Sequence, residues 1–343
     1  MIKGMDISSL TEVERCGGRF YDHGREKDLM EILKSYGTNY VRLRLWNDPY
    51  APDGRPYGAG CSDFATTLQL ARRAQVQGFG RLLDFHYSDF WADPGKQTIP
   101  KAWRGLDEDG LTQAVYEFTK KTLEDFGAAG VMPTMAAVGN ELSNGLLWPY
   151  GKTPRYQTIA RFVSAGIRAV KSVDRTLPVM VHLDNGGNQE LYRNWFDQYF
   201  ANDGEDFDCI GLSYYPFWHG NLADLEANMN QVALRYHKDL IVAEVSMGFT
   251  TQDYKEYEKL DDAHRKGCAA KPELLAGLDY PMTREGQADF MKDVMSRIQK
   301  VPENRGKGFF YWEPAWLPRY GSEWATEAAR EYIGEPGKGG NEW

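Results

Sequence analysis

MPTMAAVGNELSNGLLW, residues Met132 to Trp148, is the stretch on which the fold turns. Its apolar run Met135-Ala136-Ala137-Val138 has the character of a buried strand, ending at Gly139-Asn140-Glu141 and giving way to a loop. A carboxylate at the tip of a buried strand is costly to desolvate, so Glu141 is either paired there or poised to exchange a proton. Leu240 to Thr250 repeats the arrangement, with a run Leu-Ile-Val-Ala leading into Glu244. The interval between the two leaves room for several strand–helix units. Two carboxylates on two strand ends of one sheet are what hydrolysis of a glycosidic bond requires.

Outward from this stretch, β-type runs alternate with amphipathic helical segments. Strands are expected at Gly4 to Ile7, Asn39 to Trp46 (NYVRLRLW), Gly80 to Tyr87 (GRLLDFHY), the Glu141 run, PVMVHLDNG from Pro178, Cys209 to Tyr215, the Glu244 run, and Gly308 to Trp312 (GFFYW). Helices are expected from Lys27 to Tyr36, closed by Gly37, and after a cap at Ser62 or Asp63. Further helical stripes run through Leu111 to Phe126, Ile159 to Val170, Leu191 to Tyr199, Leu222 to Tyr236 and Phe290 to Ile298. Eight strands in alternation with helices, without a Gly-rich phosphate loop or a Pro/Ser linker, predict an α/β chain forming a single (β/α)₈ TIM barrel over residues 1–343. A doubly wound sheet is the alternative, and the missing G-x-G-x-x-G weighs against it. A barrel collects its chemistry at the C-terminal strand ends. Arg44, Trp46, Asp84, His86, Asn140, Glu141, His182, Asp184, Tyr214, Glu244, Trp312 and Glu313 all fall at or near such ends.

Composition narrows the function. A net charge of −9 with no basic stripe argues against a nucleic-acid backbone as partner and suits an uncharged ligand. No run of eighteen apolar residues suggests a membrane span. Ten Trp and twenty Tyr are more than the average chain carries, and most must fill the core. Those beside Asp, Asn and His at strand ends offer flat apolar faces on which sugar rings stack. Cys16, Cys61, Cys209 and Cys268 fit no metal-ligand spacing. Cys209 has the surroundings of an inert core thiol, and a Cys16–Cys61 disulfide stays open without being required. The chain opens MIKGMDISS, with no export signal, so it is expected to be intracellular, or secreted or cell-surface if a signal peptide was removed. Between Gly248 and Pro281 lies a polar stretch too long for a bare connection, expected to be a functional loop.

Taken alone, Glu141 is as well explained by a salt bridge in the barrel mouth as by catalysis. With Glu244 also present, and Arg44 and His86 available to tune the pair, catalysis is the stronger reading. His86 suits a partner to a carboxylate or a sugar hydroxyl better than a base. A metal hydrolase is the weaker reading, because His86, His182, Asp84 and Asp184 show no H-x-x-x-H or comparable spacing. Trp91, flanked by Asp89 and Asp93 and followed by Pro94-Gly95, is expected to be an exposed platform for a sugar ring, against the alternative of a buried loop anchor.

DFHYSDFWADPGKQ (Asp84 to Gln97), VGNELSNGLLWPYG (Val138 to Gly151), HLDNG (His182 to Gly186), GLSYYPF (Gly211 to Phe217) and FYWEPAWL (Phe310 to Leu317) together resemble glycoside hydrolase family 53, the endo-β-1,4-galactanases of the retaining clan A. The resemblance implies that Glu141 is the acid/base and Glu244 the nucleophile; a nucleophilic carboxylate must be held ionised, here by donors such as Arg44. It also implies that Arg44, His86, Asn140, Tyr214 and Trp312 shape the subsite of the attacked sugar, with Trp91 and Asp184 serving neighbouring subsites. The expected substrate is β-1,4-galactan, the galactan of type I pectic arabinogalactan, acted on by a monomer. Two departures stand out. Family members usually continue beyond an N-E-W-like segment, so the final closing helix is expected to be truncated where this sequence stops at Trp343. Some bacterial members bind calcium after the seventh strand, but Asp261, Asp262 and His264 make no run of alternating oxygens, so no cofactor and no obligatory metal is expected. The rivals are another clan A glycanase, a β-mannanase or β-glucanase, and a barrel that binds polysaccharide without cutting it.

Overall fold

Eight parallel strands close into a barrel in the computed structural model, which describes residues 1–251, 272–317, 319 and 321–334. The strands are β1 (Ile2–Asp6), β2 (Tyr40–Leu45), β3 (Gly80–Phe85), β4 (Met135–Val138), β5 (Val179–Leu183), β6 (Cys209–Tyr214), β7 (Asp239–Val245) and β8 (Gly306–Tyr311). They neighbour one another in chain order, and β8 closes on β1 through pairs such as Gly4 with Phe310. Helices α1 (Leu29–Ser35), α2 (Phe64–Val76), α3 (Glu108–Ala128), α4 (Tyr156–Val173), α5 (Gln189–Ala201), α6 (Leu222–Tyr236) and α7 (Arg284–Gln299) each follow the strand of the same number. The (β/α)₈ barrel expected from the sequence is therefore the fold.

Strand alternation sorts the side chains. Along β2, Val41, Leu43 and Leu45 face the helices and join the main apolar core, which turns Arg42 and Arg44 into the barrel. The barrel floor is an apolar plug of Leu82, Met135, Ala137, Met180, Ile241 and Phe310. Above it lies a buried polar layer that includes Asp6, Arg42, Asp84 and His182. Gly4 is required at the floor, because a Cβ there would sit 2.3 Å from the Phe310 ring. Helix starts are capped as polar side chains allow: Asp28 accepts from the Met30 and Glu31 amides, and Asp63, not Ser62, accepts from Thr66. Each such cap stabilises by about 1 kcal/mol.

Some sequence expectations change. The two-stranded pair Phe20–Asp22 with Arg25–Lys27 and the short pair Gly145–Leu146 with Gly151–Lys152 were not anticipated; both are too short to show a period. A further helix, α8 (Glu327–Ile333), follows β8. Its Ala328 and Ala329 pack into an aromatic cluster with Trp46, Tyr57, Phe90, Trp91 and Trp316. Cys16, Cys61 and Cys209 are free thiols. Most of the polar stretch after Gly248, with Asp261, Asp262, His264 and Cys268, lies outside the described residues.

Candidate active site

Two different distortions bring the carboxylates to the barrel mouth. After β4 the chain turns through Gly139 (φ 81°) into Glu141, whose backbone is left-handed at φ 50°, ψ 56°. A non-glycine residue holds that conformation at a cost of roughly 1–2 kcal/mol, and such strain collects at functional sites. On β7 the device is a bulge. Leu212 pairs with Val242 but Ser213 pairs with Glu244, so one residue of β7 is skipped. Ala243 belongs to the barrel floor, and strict alternation would send Glu244 outward to the helices. The extra residue re-aims it inward. An oxygen of Glu141, one of Glu244 and a ring nitrogen of His182 all lie within 4.8 Å of one another.

The two carboxylates sit in opposite electrostatic surroundings. Glu244 Oε1 lies 2.8 Å from Arg42 Nη1, and its Oε2 accepts from the Tyr215 hydroxyl at 2.6 Å. Arg42 also bonds Asp6, Asp84 and the Asn140 amide oxygen. Burial opposes its charge, but Asp84, Glu244 and Asp6 outweigh that and hold it firmly protonated. Among the described residues, Glu141 has no cation beside it. Its Oε1 lies 2.6 Å from Ser213 Oγ, and burial, followed by the charges of Glu244 and Asp184, lifts its pKa well above the carboxylate range. One carboxyl is arranged to keep a proton, and the other is gripped by a guanidinium and a hydroxyl donor. His182 is not presented as a metal ligand, since Nδ1 and Nε2 lie 2.9 Å from Asn140 Oδ1 and Ser213 Oγ respectively.

A family model described as glycosyl hydrolase family 53 matches residues 2–335, nearly the whole chain. The chain belongs to this family. Endo-beta-1,4-galactanase from Bacillus subtilis (strain 168) is 37% identical over 347 residues, covering 96% of this chain and 77% of its own. Arabinogalactan endo-beta-1,4-galactanase from Humicola insolens is 35% identical over 324 residues, with 92% and 90% covered. Among solved structures, the Ignisphaera aggregans GH53 catalytic domain aligns with a TM-score of 0.88 at 37% identity, covering 95% of this chain and 88% of that one.

Within the family 53 barrel, several expected residues stand elsewhere than the sequence placed them. The cation on Glu244 is Arg42, whereas Arg44 pairs with Glu313 and lies over the Trp91 ring at 4.4 Å. Tyr214 points out of the barrel: its ring stacks on Phe290 of α7 and its hydroxyl donates to the Gly220 carbonyl. It is its neighbour Tyr215 that reaches the site, donating its hydroxyl to Glu244. Trp91 is no exposed platform. It is 8% exposed, stacks with Trp316 and Trp324, and donates its indole N–H to the Trp324 carbonyl.

The remaining residues are placed by their contacts. His86 accepts from the Trp46 indole through Nδ1 at 3.1 Å, so its Nε2 donates to Asp84 at 3.2 Å and the ring serves a carboxylate. Asn140 is next to Glu141 with its amide fully engaged, donating to the Ala92 carbonyl at 2.8 Å. Asp184 is half-buried, accepts from the Ser143 hydroxyl, and has its pKa raised by burial. Trp312 is half-buried against Trp91 and Trp316. Sequence reasoning missed Arg42, Ser213 and Tyr215, and did not weigh the exposed ring beside Tyr215. Trp218 is 47% exposed, three residues past Tyr215 and with its ring 5.8 Å away; its signal was its place in YYPFWHG.

Two variants follow from these placements. Trp91→Ala should lose roughly 3–5 kcal/mol of stability, as deletion of a core aromatic does, while the folded fraction still binds galacto-oligosaccharide. Melts beside oligosaccharide titrations check this, and a normal melt with lost affinity would return Trp91 to the binding surface. Tyr215→Phe removes a hydrogen bond to a charged group, an effect of about 1.5–3 kcal/mol. Turnover should fall by about ten-fold or more, whereas Tyr214→Phe leaves it nearly unchanged; matched kcat values for the two variants would contradict the register.

Proposed function

We propose that the chain is an endo-acting galactanase that cleaves β-1,4-galactosidic bonds of galactan and type I arabinogalactan with retention of configuration. The observation that carries the mechanism is the contrast between the two carboxylates: oxygens within 4.8 Å, one group with no cation beside it among the described residues and one clamped by Arg42 and Tyr215. Retaining enzymes place their carboxyls about 5–5.5 Å apart, too close for a water to stand between them. Glu244 attacks the anomeric carbon while Glu141 protonates the departing oxygen, leaving a glycosyl ester on Glu244. Esterification removes the Glu244 charge, so the pKa of Glu141 falls and its carboxylate takes a proton from the incoming water. Water then opens the ester, and Glu244 is released ionised. The galactan specificity is supported by the galactanases that share this fold at 35–37% identity.

The deciding experiment follows the anomeric protons by NMR as linear β-1,4-galactan is hydrolysed, with arabinan, mannan and cellulose as controls. The β-anomer should appear first, and from galactan alone. First appearance of the α-anomer would overturn the mechanism, and faster release from mannan or cellulose would overturn the specificity. The pH profile carries a sign as well. Glu141 works as an acid only while protonated, so kcat/KM should fall as pH rises through its raised pKa, placing the alkaline limb well above the ordinary value of 4.5.

A further inference from the structure

The hydrogen bonds around Glu141 have a direction, set by the one group in the cluster that only donates. Arg42 Nη2 lies 2.8 Å from Asn140 Oδ1, which turns the amide oxygen toward Arg42 and leaves Nδ2 to donate to the Ala92 carbonyl. An amide oxygen only accepts. His182 Nδ1, 2.9 Å from the same Oδ1, must therefore carry a proton. Burial and the charge of Arg42 keep this histidine neutral, with its pKa pushed down to about 3, so Nε2 is bare. Nε2 lies 2.9 Å from Ser213 Oγ and can only accept the serine hydrogen. Ser213 has one hydrogen to give. Its oxygen also lies 2.6 Å from Glu141 Oε1; with the serine hydrogen committed to His182, a hydrogen bond at that distance takes its proton from Glu141.

We propose that Ser213, His182 and Asn140 are positioning residues that hold the acidic proton on Glu141 through a one-directional chain, Glu141 to Ser213 to His182 to Asn140. The proposal deepens the reading of Glu141 as acid/base and rests on it. When Glu141 ionises, its carboxylate claims the Ser213 hydrogen, and His182 Nε2 is left facing an oxygen lone pair with no proton of its own to offer. Ionisation thus costs the chain a hydrogen bond, and the acid form is held until the glycosidic oxygen takes the proton. A serine free of His182 would do the opposite, because its hydroxyl would donate to the carboxylate and favour the charge. Glu244, Asp184 and Asp93 face Glu141 with negative charge and raise its pKa independently of this chain.

The test is a ¹³C NMR titration of the Glu141 carboxyl, with the resonance assigned by its loss in Glu141→Gln. Four proteins are compared: wild type, His182→Phe, Ser213→Ala and the double variant. With Ser213 present, His182→Phe should lower the Glu141 pKa by about one pH unit, the equivalent of one net hydrogen bond. In the Ser213→Ala background the same substitution should not lower it. An unchanged or raised pKa in His182→Phe, or an equal drop without Ser213, overturns the chain. A second measurement needs no variant. In ¹⁵N-histidine spectra of the native protein, His182 should show a protonated Nδ1 and a bare Nε2 below the alkaline limb, and a protonated Nε2 overturns the proposal. These readouts do not depend on turnover. If the pKa moves in His182→Phe while the alkaline limb of kcat/KM stays in place, the chain stands and the acid/base role of Glu141 falls.

Discussion

Glu244→Gln should abolish hydrolysis of every galactoside, whereas Glu141→Gln should lose activity according to the leaving group. In the proposed mechanism Glu244 supplies the bond to the anomeric carbon, and loss of a nucleophile costs on the order of 10⁶-fold in kcat where it has been dissected. No better leaving group repairs that. Glu141 supplies only a proton and then a base, each typically contributing about 10²–10⁴-fold. An aryl galactoside whose leaving group needs no proton should therefore still form the glycosyl ester in Glu141→Gln, giving a burst followed by slow release. Azide should then take the place of the water that has lost its base, restoring turnover as a β-azide. The geometry adds a reason for the asymmetry: Glu244 is also a partner of Arg42 and Tyr215, while Glu141 is held by Ser213 alone among these groups. Measured rates on galactan and on the aryl substrate, with and without azide, separate the roles. Equal azide rescue of both variants with inverted product would sink the assignment.

Arg42→Met is expected to have a large effect on stability. Arg42 is 1% exposed and lies within ion-pair distance of Asp6, Asp84 and Glu244, three carboxylates in one barrel interior. Removing the partner of a buried charge costs about 3–5 kcal/mol, because the anions left behind are neither solvated nor neutralised. For a chain of this size the melt should fall by roughly 10 °C. The pH dependence has a definite sign. Arg42 holds Asp84 below its ordinary value of 3.8 against the opposing effect of burial, so this stabilisation is present above that value and is lost as pH falls through the depressed folded pKa. The gap between wild type and variant should be widest near neutrality and narrow in acid. Arg42→Lys should recover part of it, since one ammonium restores the charge without the planar fork that reaches Asp6, Asp84, Glu244 and Asn140 together. An Arg42→Met melt equal to wild type at neutral pH would show that the cluster is not held by this cation.

The sequence by itself determined the barrel and the two strand ends that carry Glu141 and Glu244. Period-two runs alternating with 3.6-residue stripes admit few topologies, and a barrel exposes chemistry only at its C-terminal strand ends. Which side chain at each end faces the site was beyond it. Arg42 and Arg44 both point into the barrel, and only the stacking of layers puts Arg42 on Glu244 and Arg44 on Glu313. Tyr214 and Tyr215 are chemically alike in sequence, but Ser213 faces Glu141, so the tyrosine after it turns to the helices and the next one returns. Trp91 looked exposed because its neighbours in sequence are polar, and it is buried because Trp316 and Trp324, more than two hundred residues later, close over it. A strand's two-residue period names two candidate faces, but which face lines the site depends on register, and register is fixed by pairing with a neighbouring strand. The bulge at Glu244 is the sharpest case, since it reverses the alternation locally and exists only because β7 is matched against β6 and β8.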